Sequence, residues 1–262
     1  MFETYADIFN QRGQRYHQAM VDYPLARQAE FAAVLDLLEL SPHSILCDAP
    51  SGGGYLRNFI AVPGVKLYSV ETSAAFAQET AGVGDNTTLL CKTIADLPLM
   101  SGSVDRVVSL AGLHHVDPQI DFYREAQRIL VPDGIFVVAD VQAGSGVDRF
   151  LNGFVDQHST MGHQGLFLGK HTLAELTACG FEIASAQLQS YTWQFPTPVA
   201  MARYCQMLFG INQADTPAIL DGIQTCVGYE ITDTGCQMNW ELLCIKAINA
   251  SGNGQARELR SQ

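Results

Sequence analysis

From Ser44 to Val141 short apolar runs alternate with helical segments, and this alternation is the strongest constraint on what the chain can fold into. The runs are 44–47, 65–70, 87–91, 104–110 and 135–141. They are apolar throughout rather than at every second residue, the signature of a parallel sheet buried on both faces. Before and between them, 26–40, 55–62, 73–81 and 117–130 carry apolar residues at helical spacing, with Ser73 as an N-cap and Pro132-Asp133-Gly134 as a stop. Strands alternating with helices predict an α/β fold with a mostly parallel sheet.

The last third is less regular. A helix-plus-loop stretch rich in Gly, His and Phe spans 144–170. A helix over 171–179 ends at Gly180, and a long strand is expected over 181–193. Two helices, 198–209 and 216–227, precede a closing strand at 238–248, and the polar tail 249–262 is expected to fray. Nothing reads as an interdomain linker. One domain is expected, with an N-terminal helical cap (1–40), a core (41–142), a wall of helices and strands (143–248) and the tail.

Composition removes several functions. The 262 residues hold 15 Lys+Arg against 27 Asp+Glu, a net charge of −12 that disfavours a nucleic-acid surface. No apolar run approaches the roughly 18 residues of a membrane span, and 1–10 lacks the pattern of a signal peptide. The seven Cys are an odd number without a C-x-x-C pair, so buried thiols in a reducing cytoplasm are expected, with no metal site.

The stretch Ile45-Leu46-Cys47-Asp48-Ala49-Pro50-Ser51-Gly52-Gly53-Gly54 carries the chemistry: an apolar strand ends in an acid, and three glycines follow. Such a turn lets a ligand lie against the backbone. Arg57 stands where a dinucleotide site needs its third Gly, and the Lys-Ser/Thr of a P-loop is missing, so NAD, FAD, ATP and GTP are disfavoured. Glu71, closing the second strand, is placed to accept both hydroxyls of a ribose.

In these motifs the chain resembles the class I S-adenosylmethionine-dependent methyltransferases, Rossmann-like proteins with a seven-stranded sheet, antiparallel last strand and helical lids. It is most similar to the group with the ubiquinone/menaquinone C-methyltransferases and the malonyl-carrier-protein O-methyltransferases. The turn, Glu71, Thr93-Ile94-Ala95-Asp96-Leu97-Pro98, the strand 104–110 with Ala111-Gly112-Leu113-His114-His115-Val116, and 122–134 occur in the family's order over about residues 30 to 142. The resemblance implies S-adenosylmethionine as cofactor. It implies that Asp48 approaches the methionine end, that Gly52 and Gly54 let it sit on the backbone, and that Glu71 holds the ribose. Thr72, Thr93 and Ile94 would flank adenine, and Leu110 and Ala111 would face the sulfonium. Two positions depart. Pro50, without an N–H, replaces the first Gly, and Thr93 replaces an acid that often meets the adenine amino group.

Acceptor residues lie largely beyond the resemblance. His114 and His115 follow the fourth strand, at the sheet's carboxyl end where ligands bind. Asp156, His158 and His163 can supply a base and its orienter; solvated side chains at a helix end fit the same pattern. His115, His158 and His163 are the candidate catalytic residues. Trp193 and Tyr204 lie in an apolar stretch, Ser190 to Gly235, that reads as core or as a lid over a hydrophobic acceptor. Arg12 and Tyr16, with His114, Asp156, Trp193 and Tyr204, are the candidate acceptor contacts. The expected activity is O-methylation of a small apolar or carboxylate-bearing molecule, free or carrier-bound, by a monomer or homodimer. C- or N-methylation, and a non-catalytic cofactor-binding sensor or scaffold, are the alternatives.

Overall fold

The computed structural model describes residues 5–80 and 86–250. The expected frayed tail lies outside them, except Asn249 and Ala250. Five strands run parallel: β1 (Ile45–Asp48), β2 (Lys66–Glu71), β3 (Asn86–Leu90), β4 (Val104–Leu110) and β5 (Leu130–Asp140). The long β6 (Phe181–Phe195) and β8 (Gly235–Asn249) complete the sheet, with β8 antiparallel to both β5 and β6. The order is β3-β2-β1-β4-β5-β8-β6, the seven-strand path expected, and a short β7 (Tyr229–Thr232) pairs with β8 as an eighth strand.

Successive residues on the central strands enter opposite layers of core, as the strand period of two requires. Leu46, Val108, Val137 and Ala139 belong to one layer, with α2 (Gln28–Leu38) and the helix Pro198–Phe209. Cys47, Val107, Phe136 and Val138 belong to the other, with α4 (Gln119–Ile129) and the helix Lys170–Ala178. A third, small cluster of Tyr5, Ile8, Phe9 and Phe76 seats α1 (Tyr5–Asp22) on α3 (Ala74–Thr80). Through it α1 lies across the carboxyl ends of the strands. Ser73 caps α3, its hydroxyl accepting from Phe76 N at 3.4 Å.

The glycine turn does not open a long helix. A 3-10 helix of Tyr55–Phe59 follows it, and Ile60 is already extended. Packing uses the segment otherwise: Leu56 enters the core and Phe59 stacks on Phe31 at 4.7 Å. The 146–158 stretch is helical throughout but wound as a π-helix over Arg149–Val155, a form frequent at functional sites. All seven cysteines are free thiols. Among the described residues no helix is long and apolar enough to cross a membrane.

Candidate functional site

The turn after β1 puts Gly52, Gly53 and Gly54 at φ of 57°, 92° and 69°, a left-handed run that side chains disfavour. It curls around Glu71, whose Oε1 accepts from the Ser51 hydroxyl at 2.9 Å and from Gly53 N at 3.1 Å. A Cβ on Gly53 would fall 2.7 Å from the Tyr55 ring. Gly53→Ala is therefore expected to cost about 1–2 kcal/mol for the left-handed backbone alone, with more for the displaced ring. Urea titration of wild type and variant measures it.

Glu71 and Asp48 are both buried. Burial pushes the Glu71 carboxyl up to about 7, against the hydrogen bonds that favour its charge. Burial, with the charge of Glu71, also holds the Asp48 carboxyl well above its usual range. Tyr5, from the start of α1, stands beside these acids. Its hydroxyl approaches Glu71 without a well-formed hydrogen bond, and Tyr5 Oη and Glu71 Oε2 are buried without a partner.

Tyr5, Asp48, Ser51 and Gly52 line a pocket with about 460 Å³ of empty space, together with Pro50, Leu110, Ala111, Gly112 and, from α1, Phe9 and Tyr16. A second opening, of about 710 Å³, continues past Pro50 and Tyr5 to Thr72, Thr93 and Ile94. Eight of the ten cofactor candidates line these two openings; Gly54 lies on the turn, and Glu71, at the end of β2, is enclosed by it. Thr93 does not point its hydroxyl freely into the opening, because it accepts from Ala95 N at 3.1 Å.

On the far side of Ala111 lies a third pocket, with about 480 Å³ of empty space. Phe9, Tyr16, Arg27 and Ala111 line both it and the first pocket, so the two share a wall. Ala111 sits at the junction with φ of 49°, an uncommon conformation for a residue with a side chain. The rest of the wall is largely apolar: Leu151, Trp193, Phe209, Trp240 and Leu242. One end is polar, with Arg12, His114, His115 and His163.

The polar end is tightly tethered. Asp140, closing β5, accepts from His114 Nδ1 at 2.7 Å and from His114 N at 3.1 Å. Asn152, on the π-helical turn, bonds both polar groups of Gly165 and fixes its own amide, with Oδ1 towards His163 Nδ1 at 3.0 Å. Asp156 Oδ1 accepts from His163 N at 2.7 Å. Arg12 donates to the Leu208 carbonyl at 2.7 Å. Burial and the neighbouring His114 and Arg12 hold His163 well below its usual range; burial, His114 and His163 do the same to His115.

Two candidates stand apart. His158 turns away, its Nδ1 on the Phe154 carbonyl at 2.8 Å and its ring stacked on Phe154. Tyr204 is fully buried behind the wall, its hydroxyl on Met20 Sδ at 3.4 Å and its ring against Trp193. Trp193 forms wall, stacked on Trp240 at 4.2 Å, while its Nε1 donates to Glu30 at 2.8 Å. Residues not expected from the sequence organise the site: Tyr5 and Phe9 as cover, Asp140 and Asn152 as orienters, and the buried Arg27–Glu30 pair in the wall between the pockets. Apart from Arg27 and Glu30, their partners are distant in sequence, and near the N-terminus only Arg12 and Tyr16 were candidates.

Residues 47–138 match the family described as a methyltransferase domain, about a third of the chain. With that match, the sheet order and the acid–glycine turn, the chain is similar to the class I S-adenosylmethionine-dependent methyltransferases. Solved structures of the same fold include a methyltransferase from Thermotoga maritima, 18% identical, covering 94% of this chain and 99% of that one at a TM-score of 0.63. They also include the [4+2]-cyclase SpnF, 15% identical, covering 93% and 96% at 0.64. A third is the geranyl diphosphate C-methyltransferase of Streptomyces coelicolor, 14% identical, covering 89% and 83% at 0.56. No curated protein matches the chain by sequence.

Proposed function

We propose that the chain O-methylates a small acceptor with an apolar body and a hydroxyl or carboxyl group, free or carried on a larger molecule. The observation that carries this reading is the shared wall. A pocket with nucleoside-binding features and an apolar pocket with a polar end lie on either side of Ala111.

The residues present fit the cofactor. Glu71 keeps one buried oxygen unpartnered, the left-handed glycines leave a bare backbone cradle, and two buried carboxylates suit a positively charged ligand. S-adenosylmethionine supplies an electrophilic methyl on a sulfonium with a neutral leaving group. The protein's task is then mainly alignment. Glu71 holds the ribose, Asp48 and the turn hold the methionine end, and Thr72, Thr93 and Ile94 flank the base. Phe9, Tyr16 and Trp193 exclude water around the acceptor's apolar part. At the polar end, Asp140 fixes His114 with its proton on Nδ1, and Asn152 does the same for His163. Each ring then presents an Nε2 lone pair, which accepts the proton of an acceptor hydroxyl as it attacks.

Calorimetry with S-adenosylmethionine tests the reading. Wild type is expected to bind, and Glu71→Ala to bind roughly 10–100-fold more weakly, the worth of one or two hydrogen bonds to a charged group. Incubation with apolar carboxylic acids and phenols should yield S-adenosylhomocysteine and a methyl ester or ether. No cofactor binding by wild type ends the proposal. A product methylated on carbon or nitrogen replaces its O-methyl part.

A further inference from the structure

The three histidines offer more than one acceptor proton can use. One ring atom from each of His114, His115 and His163 lies within 4.8 Å of the other two, and all three side chains are buried. Asp140 and Asn152 occupy Nδ1 of His114 and His163, so the Nε2 atoms are those left to face the cluster. The proton on each Nδ1 is dictated from outside. The Asp140 carboxylate, also accepting from Val141 N at 2.8 Å, has only lone pairs to offer. The Asn152 amide is fixed by its two bonds to Gly165. Nε2 of His114 and of His163 therefore each carry a lone pair, and His115 can add a third by choice of tautomer. A hydroxyl satisfies one of these. A divalent ion satisfies all three.

We propose that His114, His115 and His163 bind a divalent transition-metal ion of the zinc class, with a fourth coordination position open to the acceptor pocket. Three neutral imidazoles and one open position are the ligand set of a catalytic zinc site. A carboxylate or amide holding the far nitrogen of a ligating histidine is the usual outer support. With zinc–nitrogen bonds of about 2.0–2.1 Å, tetrahedral ligands sit about 3.4 Å apart, so ring movements of roughly 1 Å complete the shell. The loops are braced for this: Leu166 N donates to the His114 carbonyl at 2.8 Å, tying the two histidine-bearing segments together. Gly165 is required there, since a Cβ would fall 2.5 Å from the Phe167 ring and 3.1 Å from His114 Cδ2. The charge of Arg12 reaches His115 and His163. It opposes a bare cation and favours one that carries an anionic fourth ligand. The sequence does not announce the site, because its ligands come from two separate loops.

The site rests on these side chains alone; its task rests on the methyl-transfer reading above. With the metal bound, the Nε2 atoms would be ligands in place of the bases proposed above, and an acceptor hydroxyl at the open position would lose its proton to solvent more readily. The oxygen's electron pair then forms the O–CH3 bond, the S–CH3 bond breaks with its pair kept by sulfur, and the metal's oxidation state is unchanged.

The test uses the full-length chain stripped with a chelator and titrated with Co2+ and Zn2+. One equivalent of Co2+ is expected to give the visible absorption of a four-coordinate ion, and Zn2+ to displace it. His163→Ala should abolish that absorption, and Asn152→Ala should weaken binding roughly 10–100-fold. His163→Gln, closer in size, serves if the alanine variant fails to fold, as judged by circular dichroism. No stoichiometric metal, or undiminished binding in a folded His163 variant, overturns the proposal. So does benzoate binding that is identical with and without metal and needs the histidines, which would make the cluster an anion site. Calorimetry with S-adenosylmethionine on the same samples keeps the readings apart: cofactor binding without metal binding defeats only the metal site, and the reverse defeats only the methyl-transfer reading.

Discussion

Glu30→Ala is expected to lower the unfolding free energy by about 3–5 kcal/mol, the cost of leaving a buried ion without its partner. Glu30 is fully buried and Arg27 is 5% exposed. Both Glu30 oxygens are engaged: Oε1 by Arg27 Nη2, Oε2 by Arg27 Nε at 3.2 Å and by Trp193 Nε1 at 2.8 Å. The guanidinium lies over the rings of Phe31 and Trp193 and donates to the Tyr16 hydroxyl at 2.9 Å. Removing the carboxylate strands that charge inside an aromatic box, where water does not reach. For a chain of this length each kcal/mol moves the melting temperature by about 2–4 °C, so a fall of roughly 6–20 °C should appear in a thermal scan. The double variant Arg27→Met/Glu30→Leu should recover most of the loss, because it removes both charges. A single variant that melts within about 2 °C of wild type would show that solvent reaches Arg27. The pair lies in the wall common to both pockets, so the variant should also weaken cofactor binding.

The two halves of the molecule differ in how far they can be read from residue order. The parallel strands β1, β2, β4 and β5 are legible because both their faces are buried and local composition shows it. The Pro198–Phe209 helix is legible from its own period and the Gly210 that ends it. The segment after the glycine turn misleads, because its helical period is real but tertiary packing draws Leu56 into the core and Phe59 onto Phe31 through a short 3-10 helix. The short β7 is invisible for a related reason: its four residues are held by β8 and carry no pattern of their own. In the site, the acid–glycine turn and Glu71 are local signals and were readable. The pairings of His114 with Asp140, His163 with Asn152, and Trp193 with Glu30 exist only after the chain has folded. Residue order shows that histidines are present, but not which of them meet. His158 and His163 lie in one short polar stretch of the sequence and have opposite surroundings in space.

Stability of the free protein is expected to fall as pH rises from about 4.5 to about 7, by on the order of 3 kcal/mol from Glu71 alone. The sign follows from where the proton sits. In the unfolded chain Glu71 ionises near the ordinary value of 4.5, whereas burial in the folded protein holds it up to about 7. Between these values the folded state binds more protons than the unfolded one, so raising the pH favours unfolding. Each pH unit of the difference corresponds to about 1.4 kcal/mol, which sets the size. Asp48, buried beside it and held high partly by the charge of Glu71, adds to the fall. Glu71→Gln cannot ionise and relieves Asp48 as well. Urea titrations at pH 5 and pH 8 should therefore show a clear loss for wild type and less than half of it for the variant. A wild type equally stable at both pH values would mean that Glu71 is solvated and that the turn does not enclose it. The penalty has a functional counterpart. A carboxylate that is costly to ionise in the free protein is one whose charge is stabilised when a cationic ligand enters. S-adenosylmethionine should accordingly bind more tightly as pH rises towards 7, releasing a proton as it does so. Calorimetry in buffers of different ionisation enthalpy detects that proton, and Glu71→Gln should remove most of it.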